Sequence, residues 1–152
     1  MAVLPIITGQ DAPILHQKTQ EISKVTKDII KLIRDMEQTV KAADGLGLAA
    51  PQIDKNMRIC LVKLHGRFIP LINPVITQKS RQTDIAEEGC LSLPEIWLEI
   101  ERPVGIVVSY MDAKGKQQER RLKNLNARVI QHEIDHLDGI LITDYQQKVK
   151  PM

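Results

Sequence analysis

The pattern that most constrains this chain is His132-Glu133-Ile134-Asp135-His136, close to its C-terminal end. Residues four apart on a helix share one face, about one turn apart, so both imidazoles can reach a single metal ion. Glu133, beside the first of them, can reach a water on that ion. The five-residue pattern also occurs on plain surface helices. Here Ile130, Ile134 and Leu137 form an apolar stripe that packs the helix on a core and sets the two histidines and the glutamate at its border. A catalytic ion usually takes three protein ligands and keeps one position open. Residues 137–152 contain no His, Cys or Glu, and Ile142 stands where the longer protease motif has its third His. The fold must therefore bring an upstream segment onto this helix.

Which segment is a matter of donor chemistry. His16 and His65 lie in loop-like stretches, and Asp138 sits at the helix end, pointing elsewhere. Cys90 is the better candidate, in Glu87-Glu-Gly-Cys-Leu-Ser-Leu-Pro94, where Gly89 lets the backbone bend and Pro94 closes the segment. A thiolate is a strong ligand, and a bound cation lowers its pKa. The alternative is Cys90 as a nucleophile with a histidine partner. Thiolate plus two imidazoles would by itself suggest zinc. Cys60, in an apolar run, reads as a buried core thiol.

Composition narrows the class. With 152 residues, 43% hydrophobic and 26% charged, the chain reads as one globular domain over 1–152. Its apolar stretches are too short to span a bilayer. The formal charge of +2 is too small to argue for a nucleic-acid footprint, and 3% aromatic residues do not support stacking on bases. The start, Met-Ala-Val-Leu-Pro-Ile-Ile-Thr-Gly-Gln, lacks the basic and apolar regions of a signal peptide. The expectation is a cytoplasmic protein with two free thiols.

From Ile22 to Ala43 the apolar positions step by three and four, which predicts an amphipathic helix capped at Ser23 or Thr26 and stopped by Asp44-Gly45. Arg58–Val62, Phe68–Ile72 and Val104–Val108 read as strands, Asp112-Ala-Lys-Gly115 as a turn, and Gln117–Leu122 as a polar edge strand. A helix over Ala127–Leu137 follows Asn124 or Asn126, with Gly139 in the left-handed position after it. Helix, several strands, helix, without a βαβ rhythm, predicts an α+β fold: mainly antiparallel strands around a C-terminal metal-binding helix, with an N-terminal amphipathic helix.

A third cluster is Gly45-Leu-Gly-Leu-Ala-Ala-Pro-Gln-Ile53. It lacks the Gly-Lys-Ser/Thr of a phosphate loop. Its small residues permit a close backbone approach. Gln52 is either a solvated loop residue or a donor aimed into a site.

Together, Gly45-Leu-Gly-Leu-Ala-Ala-Pro-Gln52, Glu88-Gly-Cys-Leu-Ser92 and Gln131-His-Glu-Ile-Asp-His-Leu-Asp-Gly139 resemble, in order and spacing, the three signature motifs of the peptide deformylases. The resemblance runs over nearly the whole chain, including Leu71-Ile-Asn-Pro74, Arg102 and Gly139-Ile-Leu-Ile-Thr-Asp-Tyr145. It implies a metal-dependent hydrolase that removes the formyl group from the N-terminal formyl-methionine of newly made polypeptides. It implies Cys90, His132 and His136 as metal ligands. The ion would be Fe(II) in the cell, with Ni, Co or Zn able to occupy the site in a purified protein. Glu133 would transfer the proton, while the Gln52 amide and the Leu91 backbone N–H would share the charge on the formyl oxygen. The Gly47 backbone would contact the substrate main chain. Leu125 and Val129 are candidates for the methionine pocket, or else core residues. Glu88 and Arg102 would hold the Cys90 segment, or else be exposed charges worth little. Many bacterial members continue into a basic C-terminal helix that can serve ribosome docking. This chain ends at Lys148-Val-Lys-Pro-Met152, so docking by that route is not expected.

Two rival readings remain at this stage. A small H-E-x-x-H metallopeptidase would cleave internal peptide bonds; the first two motifs argue against it. A deformylase-like protein that binds N-termini without turnover would be expected to lack Glu133, which is intact.

Overall fold

In the strand Ile59–Leu64 every residue but Lys63 is buried, so the strand needs cover on both faces. The computed structural model, which describes residues 2–146, supplies it with two helices. Ile59 and Leu61 pack with Ile29, Leu32, Ile33, Met36 and Val40 of α1, Lys27–Ala42. Cys60, Val62 and Leu64 pack with Ala127, Ile130, Ile134 and Leu137 of α2, Asn124–Leu137. Successive side chains of a strand point to opposite faces, so the two helices lie on opposite faces of one sheet. Cys60 is a core thiol, fully buried.

The strands are β1 (Gly47–Ala49), β2 (Ile59–Leu64), β3 (Arg67–Lys79), β4 (Thr83–Cys90), β5 (Leu93–Pro103), β6 (Gly105–Met111) and β7 (Gln117–Lys123). A short helix, α3 (Ile142–Gln146), follows α2, and 3-10 turns cover Pro13–His16 and Ala50–Ile53. Five strands pair antiparallel in the order β1-β2-β3-β6-β7, and β4 and β5 form a separate antiparallel hairpin. The predicted α+β class holds, and β7 is an edge strand as expected. Lys148–Met152, on which the docking expectation rests, lies outside the described residues.

The differences from the sequence pattern have local causes. α1 begins at Lys27 rather than Ile22, because Thr26 is its cap: the Ile29 N–H donates to Thr26 Oγ1 at 3.3 Å. Ile22 keeps the same apolar neighbours while extended, since Asn73 holds both its backbone groups, at 2.8 and 2.7 Å. β3 runs on past Ile72 through two register shifts against β6, the first beside Asn73 at φ 51°. The β4–β5 hairpin escapes the alternation rule because one face carries Glu87, Glu99 and Glu101 beside the exposed Ile85 and Trp97. α2 begins three residues earlier than its apolar pattern, at Asn124 with φ 58°.

The end of α2 is fixed from outside. The Leu137 carbonyl accepts from the Thr19 N–H and Oγ1, both at 2.8 Å. Gly139 has φ +76°, and a Cβ there would sit 2.6 Å from the His16 backbone carbon. Gly139→Ala therefore meets both a left-handed penalty and a backbone clash. It is expected to cost about 2 kcal/mol or more, lowering Tm by roughly 4–8 °C in a domain of this size. A thermal melt unchanged within about 1 °C would contradict this packing.

Candidate metal centre and adjoining cavity

α2 and β4 together carry the chemistry. His132, Glu133 and His136 project from α2; Glu133 and His136 are almost fully buried, at 4% and 2% exposure. Cys90 ends β4 at a register break, where Gly89 pairs with Trp97 but Cys90 pairs with Leu93. The Trp97 ring lies on Gly89 so closely that a Cβ there would meet it at 2.5 Å. One ligand atom from each of Cys90, His132 and His136 lies within 4.8 Å of the others. Cys90 Sγ and His136 Nε2 are 3.2 Å apart.

The state of each donor suits a cation. His132 Nδ1 faces Glu88 Oε1 at 2.9 Å, so the carboxylate accepts a hydrogen bond from Nδ1–H and Nε2 is left as the ligand atom. Burial keeps His136 neutral, and the neighbouring His132 and Arg102 push its pKa down further, well below the usual imidazole range. Burial disfavours the His132 imidazolium, but the Cys90 and Glu88 hydrogen bonds outweigh it and raise its pKa to about 10. An ion held between Cys90 and His132 would displace the proton that these acceptors otherwise favour on the imidazole. A soft thiolate and two imidazoles fit a transition-metal ion.

Glu88 and Arg102 are not exposed charges. Glu88 is 7% and Arg102 3% exposed. Arg102 donates to both Glu88 oxygens, Nε at 2.6 Å and Nη2 at 2.9 Å. Burial would raise the Glu88 carboxyl, but the hydrogen bonds from His132 and Arg102 bring it down to about 2. Arg128 is a partner that the sequence pattern does not single out. It donates to Glu88 Oε2 at 2.6 Å, the Ile100 carbonyl at 2.9 Å and Asp84 Oδ1 at 2.7 Å. The available signal was its place one turn before His132, on the same helix face. Arg102 also reaches Asp135 Oδ2 at 2.9 Å, which in turn accepts from Tyr145 Oη at 2.5 Å.

Gln52 is 2% exposed and is not a solvated loop residue. Its Oε1 accepts from the Ala49 N–H at 2.9 Å. Its Nε2 donates to Ser92 Oγ at 3.0 Å and lies 3.8 Å from Cys90 Sγ. Ser92 is a further site residue that the sequence reading leaves unassigned. Glu133 Oε1 is buried without a hydrogen-bond partner among the described residues. Burial pushes the Glu133 carboxyl up to about 7, the nearby Glu88 and Asp135 add to this, and His132 and Arg102 oppose it. Gly47 makes room for it: a Cβ at that position would meet Glu133 Oε2 at 2.6 Å.

Beside these groups lies a cavity of about 550 Å³ lined by Gly47, Leu91, Leu125, Val129 and Glu133 among others. Leu125 is 60% exposed, so it is a wall and not core; Val129 is half-buried and also packs on the core beneath. His16 and His65 take no part. His16 Nε2 bonds the Gln10 carbonyl, and His65 sits in the β2–β3 turn. Asp138 pairs with Arg58 at 2.8 Å, and Asp144 Oδ2 accepts from the Leu141 N–H at the start of α3.

A buried carboxyl at the edge of a thiolate–imidazole cluster, facing a cavity, suits hydrolysis of a carbonyl compound. Residues 3–152 match the family model described as polypeptide deformylase. A peptide deformylase of Pseudothermotoga lettingae is 43% identical over 132 residues, covering 87% of this chain and 77% of the relative. The crystal structure of the Thermotoga maritima peptide deformylase superposes with a TM-score of 0.92 at 38% identity, over 99% of this chain and 100% of that one. That of the Ehrlichia chaffeensis peptide deformylase in complex with actinonin gives 0.92 at 38% identity, over 95% and 89%. On matches of this extent, the chain belongs to the peptide deformylase family.

Proposed function

We propose that this chain, as one catalytic domain over 1–152, hydrolyses the formamide of N-terminal formyl-methionine by using the groups just described. The observation that supports this most is the buried, unpartnered Glu133 oxygen beside the Cys90, His132 and His136 cluster. Cys90, His132 and His136 hold one divalent ion. When bound, that ion supplies Lewis acidity, making a water acidic enough to attack near neutral pH. We assign Fe(II) in the cell, with Ni, Co or Zn replacing it in purified protein.

Glu133 takes the proton from the attacking water. It then hands that proton to the methionine nitrogen as the C–N bond breaks, so formate and a free amine leave. The Gln52 amide has one N–H on Ser92 and directs its second at the Cys90 sulfur at 3.8 Å, a long contact that an oxyanion can replace. That second donor and the Leu91 backbone N–H share the negative charge that develops on the formyl oxygen. The Gly47 backbone guides the peptide main chain, and Leu125 and Val129 flank the methionine side chain. The substrate is a nascent formylated polypeptide, met in the cytoplasm close to the ribosome. No helix among the described residues is long and apolar enough to cross a membrane.

Formate release from formyl-Met-Ala-Ser after Fe or Ni loading tests the reading. Cleavage of internal peptide bonds instead would favour a peptidase, and tight binding without formate a non-catalytic role. X-ray absorption of the loaded protein is expected to show sulfur in the first coordination shell; a shell of nitrogen and oxygen alone would reject Cys90 as a ligand.

Glu133→Ala is expected to keep its metal and lose at least ~10²- to 10⁴-fold in kcat, since it removes proton transfer alone. Near-normal turnover at full metal occupancy would sink that role. Gln52→Glu keeps the oxygen that accepts from Ala49 but removes the amide donors. It is expected to lower kcat and kcat/KM together by ~10²-fold or more. A rise in KM alone would make Gln52 a substrate-holding group.

A further inference from the structure

The net charge of +2 averages over unlike faces. At the catalytic cavity, the exposed charged residues are all carboxylates: Asp44, Glu87 and Glu95. A second groove, about 470 Å³, lies between the outer face of α1 and the β6–β7 turn. It is rimmed by Lys27, Lys31, Arg34 and Lys114, floored by Val25 and Ile30, and lined by no carboxylate. All four cations are exposed, and none is in an ion pair among the described residues.

Their placement is ordered. Lys27, Lys31 and Arg34 step by four and three along α1, so they form one stripe with about 5–6 Å between neighbours. Lys114 faces them from the turn, whose one nearby carboxylate, Asp112, is occupied with the Lys114 and Lys116 N–H groups and Gln118. The basic stripe occupies the first half of α1. The acidic mouth begins at Asp44, just past its other end, and the whole helix is about 24 Å long.

We propose that this groove binds the phosphodiester backbone of double-helical RNA. A row of unpaired cations at one-turn spacing matches repeated anions and carries no base readout. The absence of an aromatic residue from its lining argues against single strands, which need stacking platforms. The choice of RNA over other polyphosphates rests on the deformylase reading, because RNA is the polyanion abundant where new polypeptides are made. The charge segregation then orients the molecule: the acidic mouth is turned away from the polyanion that the basic end holds.

The test is fluorescence anisotropy with a labelled 16-base-pair RNA duplex, run on the metal-loaded protein. Binding is expected with Kd on the order of 10 µM at low salt, and log K should fall with log salt at a slope of about −3.5 for four contacts. The triple variant Lys27→Glu, Lys31→Glu, Arg34→Glu should bind at least 10-fold more weakly. It should lose about three from that slope and release formate from formyl-Met-Ala-Ser at the wild-type rate. A control with the same charge change elsewhere, Lys18→Glu, Lys55→Glu, Lys79→Glu, should bind nearly as wild type. Three results would overturn the proposal: no salt-dependent binding, equal losses in both triple variants, or at least 10-fold preference for a DNA duplex or for phosphatidylglycerol vesicles. Because binding and formate release are read separately, failure of the groove leaves the catalytic reading standing, and the reverse.

Discussion

The Glu88 carboxylate is the point on which the site turns. Its two oxygens take four hydrogen bonds, two from Arg102, one from Arg128 and one from His132. Glu88 and the ligand Cys90 lie on one strand, His132 and Arg128 on one helix, and Arg102 on the neighbouring strand. One carboxylate therefore sets the distance between the thiol and the imidazoles. Through Arg102 the same network reaches Asp135 and Tyr145, and so the last described helix. Buried charge clusters of this kind often add little net stability against an apolar packing of equal volume, but removing one member leaves an uncompensated charge and costs about 3–5 kcal/mol. Orientation is the gain: an apolar substitute would leave the His132 ring without the partner that fixes its tautomer.

Small residues do the complementary work of clearing space. None of Gly45, Gly47 and Gly89 has a left-handed φ, so left-handed backbone is not why they are glycines. Side chains from elsewhere in the chain occupy the volume their Cβ atoms would take: Leu91 against Gly45, Glu133 against Gly47, Trp97 against Gly89. The three sequence motifs are thus mutually interlocked. The first makes room for Glu133 of the third and for the residue that follows the thiol of the second. Gln52 adds a hydrogen-bonded link between the first and second motifs, through Ser92.

What could be read from the sequence follows from how local each constraint is. α1 and α2 carry strong periodicity, and β2 and β6 are short runs rich in β-branched residues; these and the polar edge strand β7 are legible within a few residues. That Cys90, His132 and His136 would come together was legible because i, i+4 spacing and the lack of a downstream His, Cys or Glu left few choices. The β4–β5 hairpin was hidden, because the inward residues Glu88 and Arg102 are charged and satisfied by each other and by partners distant in sequence, on α2 and α3. No window-based reading prices a buried carboxylate favourably without knowing its partners. Arg128 was hidden for the same reason, and Leu125 was ambiguous because an exposed wall and a core residue use the same side chain.

Glu133 shows why this arrangement needs a cation to be complete. Its raised pKa, about 7 against an ordinary 4.5, corresponds to roughly 3 kcal/mol of penalty on the charged form. One carboxylate oxygen has no partner, Gly47 gives it room but no donor, and its neighbour His136 is held neutral. Burial is the largest cause of that penalty, Glu88 and Asp135 add to it, and His132 and Arg102 offset only part of it. A divalent ion on Cys90, His132 and His136 would reverse the balance, because a nearby cation favours the carboxylate. On the proposed reading, metal binding and ionisation of Glu133 would be coupled: the carboxyl is costly to charge until an ion is in place beside it.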